Sequence, residues 1–226
     1  MLIGVRQLGV FWGVRPTAVL HVGAHEAEEL TAYQAAGWKT VTWVEGLPDK
    51  ALALQERLRG VPGQEVLSAL AWDRDGDMLT MHRANNGQSS SALPMGTHSV
   101  EHPDVHVVAE MALPSSRLDT LLAGSARRFD FLNLDIQGAE LQALRGLGER
   151  LRDARWIYAE VNTSPLYVGG ALVDEIDAFL EEFSFRRVDV EMTAHGWGDA
   201  LYIREDVLPR LVHLRRALRK WRARTR

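Results

Sequence analysis

An apolar run, Ala18-Val-Leu-His-Val22, stops at Gly23, and the stretch from Glu26 to Ala36 then takes up a helical pattern. A strand that breaks into a helix at a glycine constrains the fold more than any other feature of this chain. Gly23 has no Cβ, so backbone there can approach a ligand closely. Such a turn is expected to aim unpaired helix N–H groups into the crevice beyond the strand. About twenty residues later, Val41-Thr-Trp-Val-Glu45 is a second apolar run, ending in a carboxylate. An acid on the tip of the neighbouring strand suits hydrogen bonding to ribose hydroxyls. The two runs together predict a site for a nucleoside-containing cofactor.

Strand and helix patterns alternate along the rest of the chain. Strands are predicted over 19–22, 40–45, 65–69, 130–135, 156–161, 186–191 and 200–204. Helices are predicted over 26–36, 49–59, 139–151 and 173–183, the last with Ile176, Phe179, Leu180 and Phe183 at helical spacing. This order predicts an α/β fold: a mostly parallel sheet of seven strands with helices on both faces. The last two strands are joined only by His195-Gly-Trp-Gly198, too short for a crossover, so they are expected to form an antiparallel hairpin. Segments 77–83 and 106–111 read as extra short strands flanking a polar loop over 84–104. A loop of that length inside a compact domain is usually functional or disordered.

At 226 residues the chain suits one domain, placed here at 1–209, with 1–16 as an N-terminal packing segment. It has 46% hydrophobic and 25% charged residues and no apolar run long enough to span a membrane, which predicts a soluble protein. The absence of cysteine excludes disulfides, thiolate metal sites and cysteine nucleophiles, and is compatible with a cytoplasmic protein. Charge is unevenly placed. Eight of the 26 Lys/Arg fall in residues 210–226, which contain no acid, so the remainder of the chain is acidic. Leu208, Leu211, Leu214, Leu218 and Trp221 interleave with those basic residues, which predicts a basic amphipathic helix or tail.

The turn at Gly23 lacks the glycines of a dinucleotide fingerprint, because His25 and Glu28 stand at the other two positions. Glu28 would face a pyrophosphate with the wrong sign. A cofactor with cationic groups and no phosphate, such as S-adenosylmethionine, tolerates these acids. Asp135 ends the predicted fourth strand, where open α/β sheets bind ligands. It is placed to orient a reacting group, accept a proton or hold an amino group. Glu140 falls in the first turn of the following helix, where a carboxylate is also favoured as a cap.

The motifs Leu134-Asp-Ile-Gln-Gly-Ala-Glu140, Ala159-Glu-Val-Asn162, Leu166-Tyr167 and Gly196-Trp-Gly-Asp-Ala-Leu-Tyr202 resemble those of the FkbM family of S-adenosylmethionine-dependent methyltransferases. His21-Val-Gly-Ala-His-Glu-Ala27 resembles that family's first motif, with His21 in place of an acid and Ala27 in place of a glycine. Asn85-Asn-Gly-Gln-Ser-Ser-Ser91 resembles its central polar loop. The resemblance runs from about residue 17 to 204 and implies a Rossmann-like class I methyltransferase sheet. It implies methyl transfer, commonly to hydroxyls of sugars or natural products. Carried over residue by residue, Gly23, Ala24 and His25 would line the methionine end of the cofactor. Glu45, with Gly46 after it, would hold the ribose. Ser68 and Ala69 would approach adenine, and Asp135 would sit beside the sulfonium. Since His21 replaces the usual acid, Asp135 is the candidate to hold the amino group.

Acceptor recognition is expected from the polar loop and the end of the fifth strand. Asn86, Gln88, Ser89 and Ser90 offer neutral donors and acceptors suited to a hydroxylated substrate. His98 and His102 lie within or just after that loop, and either suits a general base near neutral pH. Glu160, Asn162 and Tyr167 fall at the end of the fifth strand, on the same rim as Asp135. Trp197, between glycines, packs on the core or presents its ring to a ligand. No histidine–acid cluster has metal spacing, so no metal is expected. The leading expectation is an O-methyltransferase for a small hydroxylated acceptor, compatible with a homo-oligomer and without nucleic acid as partner. The alternative is a non-catalytic module that touches nucleic acid or membrane through the basic tail. A nicotinamide-dependent dehydrogenase is opposed by the missing glycines.

Overall fold

The computed structural model describes residues 1–208, so the expected basic helix or tail of 210–226 lies outside the described residues. The elements run α1 (Val5–Trp12), β1 (Val19–Val22), α2 (Leu30–Ala35), β2 (Val41–Glu45), α3 (Pro48–Arg57) and β3 (Gln64–Ser68). They continue with β4 (Leu70–Trp72), β5 (Met78–Ala84), α4 (His98–Glu101), β6 (Val107–Arg117), α5 (Leu118–Leu121) and β7 (Phe131–Leu134). The last are α6 (Glu140–Gly146), a 3-10 helix (Gly148–Asp153), β8 (Trp156–Asn162), α7 (Val173–Glu182), β9 (Phe185–Met192) and β10 (Trp197–Arg204).

Seven strands form one sheet in the order β3-β2-β1-β7-β8-β10-β9. The first five are parallel, and β10 runs antiparallel to both β8 and β9, as the short connection predicted. The chain winds outward from β1 to β3, then returns to β7 on the other side of β1. That reversal is the topological switch point, where open sheets receive ligands. Val22 pairs with both Val44 and Leu134, so Gly23, Glu45 and Asp135 emerge side by side.

Strand alternation sends side chains to two cores. Leu20, Val22, Leu132 and Leu134 pack with α6 and α7 residues such as Leu144 and Ile176. Val19, Trp43 and Phe131 face the other way, with Leu8, Tyr33, Trp38 and Leu54. A second sheet, β4-β6-β5, covers the strand tips and closes a small core of Leu47, Leu70 and Met81. The flanking segments of the polar loop are therefore two strands of one sheet. The third, β4, was not anticipated, because three residues are too few to show a period.

Two helices and one loop differ from expectation for identifiable reasons. The helix after Gly23 begins at Leu30 rather than Glu26, since His25 and Ala27 take positive φ of 43° and 51°. Ala27 thus adopts a conformation suited to glycine. The expected helix over 139–151 divides at Gly148, also at positive φ, and continues as the 3-10 helix. The polar loop is folded rather than open. Asn86 Nδ2 donates to Ser89 Oγ (2.9 Å), Ser90 Oγ to the Gly87 carbonyl (2.8 Å), and α4 closes its far end.

Candidate active site

Gly23 sits at φ 91°, and a Cβ there would lie 1.8 Å from the Asp135 carbonyl oxygen. Only glycine lets β1 and β7 continue into their turns this close together. The expected unpaired helix N–H groups are not what faces the crevice. Gly23 N (2.9 Å) and Ala24 N (3.0 Å) both donate to the Val44 carbonyl, and His25 N donates to Glu45 Oε2 at 2.8 Å. Leu47 N donates to the other oxygen, Oε1, also at 2.8 Å. Two backbone amides thus hold a buried Glu45 inward, and each carboxylate oxygen keeps a free acceptor position.

Two hollows open at the strand tips and share Gly23, His25, Gln88 and Asp135. The smaller, about 60 Å³, is walled by Val22, Val44, Leu70 and Met81, with Glu45, Gly46 and Ala69 at its edge. The larger, about 470 Å³, has the volume of a small-molecule site. Asn86, Gln88, Ser89, His98 and Glu160 line it, so loop and β8 residues separated widely in the chain meet there.

Four expected site residues line neither hollow. Ala24 is buried in the core, and Ser68 is exposed at the end of β3. Asn162 is buried with its Oδ1 unpartnered among the described residues. Tyr167 is buried and reaches the site at one remove, as its hydroxyl donates to Gln137 Oε1 at 2.7 Å. Ser90 borders the smaller hollow, but its hydroxyl oxygen accepts the Ala84 amide while donating to Gly87, which holds the loop.

Gln137 is the residue the sequence reading left without a role. It takes φ 59°, uncommon outside glycine. Its Nε2 donates to Asp135 Oδ1 (2.8 Å) and to Glu160 Oε2, and its carbonyl accepts Ser91 Oγ (2.7 Å). One amide side chain therefore ties two carboxyl groups to each other and to the polar loop. Strained backbone of this kind concentrates at functional sites. Its position inside the Asp135–Glu140 motif was the available signal. Asp199 was also missed. It lies directly opposite Glu160 in the β8–β10 ladder and accepts the Tyr158 hydroxyl. Trp197 borders the larger hollow and belongs to neither main core.

Burial sets the charge of the site. Burial, then the charge of Asp135, pushes Glu160 well above the ordinary carboxylate value. Burial raises Asp199 as well, and raises Glu140 to about 7. Glu140 is occupied structurally, accepting the Ile136 (2.9 Å) and Gly138 (3.0 Å) amides at the start of α6. His21 and His98 are both lowered by burial. His21 is engaged with Tyr33 Oη (3.2 Å) and Asn133 Nδ2 (3.3 Å). His98 is 6% exposed and its Nδ1 has no partner among the described residues. Among those residues no cluster of three or more His, Cys, Asp or Glu could hold a metal ion, and no helix is long and apolar enough to cross a membrane.

A family model described as the methyltransferase FkbM domain matches residues 21–187. Among solved structures the fold is similar to TrmK of M. capricolum in complex with S-adenosyl-homocysteine, at 10% identity and a TM-score of 0.51, covering 89% of this chain and 67% of that one. A protein of the NADB-Rossmann superfamily from Streptococcus agalactiae gives 10% and 0.51, covering 88% and 67%. A ribosomal protein L11 methylase from Lactobacillus delbrueckii subsp. bulgaricus gives 16% and 0.46, covering 90% and 75%. At these identities the first two matches show similarity of fold alone. No curated protein matches the chain.

Proposed function

This chain belongs to the FkbM methyltransferase family, whose members use S-adenosylmethionine, and from that premise we propose that it methylates a hydroxyl oxygen of a sugar or natural-product-like small molecule. The observation that carries the reading is the pair of hollows joined at Gly23, His25, Gln88 and Asp135, on the switch point of the sheet.

The residues present fit an adenosyl cofactor. Glu45 retains one acceptor position on each oxygen, enough for two vicinal ribose hydroxyls. The apolar wall of Val22, Leu70 and Met81 suits a purine face, with Gly46 and Ala69 at its edge. Asp135, where the hollows meet, would face the cationic part of the cofactor, and His25 and Gly23 would border its methionine end. When bound, S-adenosylmethionine supplies an electrophilic methyl group on a sulfonium.

The chain's own work is positioning and proton removal. Asn86, Gln88, Ser89 and Glu160 bind the acceptor in the larger hollow, while Tyr167 fixes Gln137 behind them. Holding two reactants in line replaces an encounter by an intramolecular step, which supplies much of the acceleration. His98, neutral at pH 7 because burial lowers it, takes the hydroxyl proton as the oxygen–carbon bond forms and the carbon–sulfur bond breaks.

Titration calorimetry tests the reading directly. S-adenosylmethionine and S-adenosylhomocysteine are expected to compete for one site, and the absence of heat from both sinks it. Asp135→Asn is expected to weaken S-adenosylmethionine more than S-adenosylhomocysteine, because only the former carries the sulfonium charge. It should lower kcat about 100-fold or more, with the fold retained by circular dichroism.

A further inference from the structure

The larger hollow holds more carboxyl groups than the methyl donor alone accounts for. Glu28, Glu29, Asp135, Glu160 and Asp199 line it; among the described residues no lysine or arginine does, and the Met1 ammonium at its wall lies 3.7 Å from Glu29. The two histidines lowered by burial, His21 and His98, add no positive charge near pH 7. Glu28 is answered by His25 Nδ1 and Gln88 Nε2, and Glu29 lies 4.0 Å from His21. Asp199 accepts the Tyr158 hydroxyl and the Leu2 amide. Glu160 is 5% exposed, receives the Gln137 amide and shares a hydrogen bond with the Asp135 carboxyl group.

Register adds a second, independent observation. Glu160 and Asp199 stand directly opposite each other across the antiparallel β8–β10 ladder. Burial disfavours ionisation of both carboxyl groups, and among the described residues no lysine or arginine meets either. An arrangement that costs stability beside a cavity, in a fold that offers many neutral alternatives, is retained for what enters the cavity. The buried, unpartnered His98 borders the same space, a further polar group whose partner is not supplied by the chain.

We infer that the acceptor carries a protonated amine close to its reacting hydroxyl, received by Glu160 with Asp199 behind it. The inference rests on the O-methyltransferase reading and narrows its substrate class to amino alcohols such as amino sugars. S-adenosylmethionine brings a sulfonium and an ammonium against one carboxylate, a net single positive charge, which Asp135 meets at the junction of the hollows. Glu160 and Asp199 remain for the acceptor. A phosphorylated or carboxylated acceptor would enter a cavity lined by five acids, whose one ammonium, that of Met1, already lies beside Glu29, which disfavours nucleotides and nucleic acid. An ammonium also has no lone pair. While Glu160 holds it, the methyl group goes to oxygen, the oxygen–carbon bond replacing the carbon–sulfur bond and the proton passing to His98.

The test is a methyl-transfer assay with radiolabelled S-adenosylmethionine on matched sugars: glucosamine, galactosamine and mannosamine, their N-acetyl forms and their 6-phosphates. The free amines are expected to be methylated on oxygen with kcat/KM at least tenfold above the N-acetyl forms, and the phosphates least. Glu160→Gln and Asp199→Asn are expected to remove the preference for the amine, while both still bind S-adenosylhomocysteine. A preference for the acetylated or phosphorylated sugars, label on nitrogen, or methylation of none of them overturns the inference. S-adenosylhomocysteine binding separates the two levels. Its presence without amine preference defeats this inference alone, and its absence defeats the O-methyltransferase reading beneath it.

Discussion

The two hollows that meet at Asp135 are made of different materials. In the smaller, backbone sets the position of the one acid among apolar side chains. Gly23 and Ala24 amides close on Val44, and the amides of His25 and Leu47 aim the Glu45 carboxylate, so its geometry follows wherever β1 and β2 run side by side. The larger is made of side chains. Gln137, Glu160, His98 and Asp199 come from four segments and are held by one another through Tyr167, Ser91 and Tyr158. A backbone-built corner suits a cofactor common to a family. A wall of side chains can differ from member to member, and so suits the partner that differs.

Three variants strain this contrast. The largest effect is expected at the backbone-built corner. Gly23→Ala places a methyl group on the Asp135 carbonyl at a φ that alanine disfavours. It is expected to cost about 3 kcal/mol in urea unfolding and to weaken S-adenosylhomocysteine at least a hundredfold by calorimetry. Near-native binding in that variant would show that the corner tolerates side chains after all.

On the other side, His98→Gln should separate chemistry from cofactor binding. It is expected to lower kcat about 100-fold and leave S-adenosylhomocysteine affinity unchanged. Burial, and then His102, lower His98 below the ordinary histidine value of 6.5. The neutral ring therefore dominates at pH 7, and proton-accepting ability is lost only as pH falls below that value. The kcat/KM profile of the parent protein should show this acid limb, and the variant should lack it. An unchanged limb would assign it to another group, such as Asp135.

The smallest effect is expected at one remove from the cavity. Tyr167→Phe deletes the hydroxyl that holds Gln137 Oε1 and is expected to cost about 1 kcal/mol. Acceptor KM should rise several-fold while S-adenosylhomocysteine binding holds. Equal loss of both would mean that the two hollows are one mechanical unit.

Legibility followed the same division. The turn at Gly23, the inward acid Glu45 and the strand-tip Asp135 were readable, because each is marked by a local pattern: an apolar run, a break and a polar residue. The start of α2 was misread because nothing in Glu26-Ala-Glu-Glu29 announces that His25 and Ala27 take positive φ. Ser68 was assigned through the family resemblance and Asn162 by its place at a strand end, and both say where backbone lies and not where a side chain points. Gln137 stood inside a recognised motif and gained a role only when Tyr167 and Ser91 were brought to it.

The alternation of apolar runs and helical periods determined by itself a parallel sheet with a terminal hairpin, since burial period and connection length are local properties of the chain. Pairing Glu160 with Asp199, bringing His98 to the same cavity and tying Asp135 to Glu160 through one amide were decided by tertiary structure alone. These contacts join residues dozens of positions apart, and their geometry follows from strand register and the packing of the whole domain.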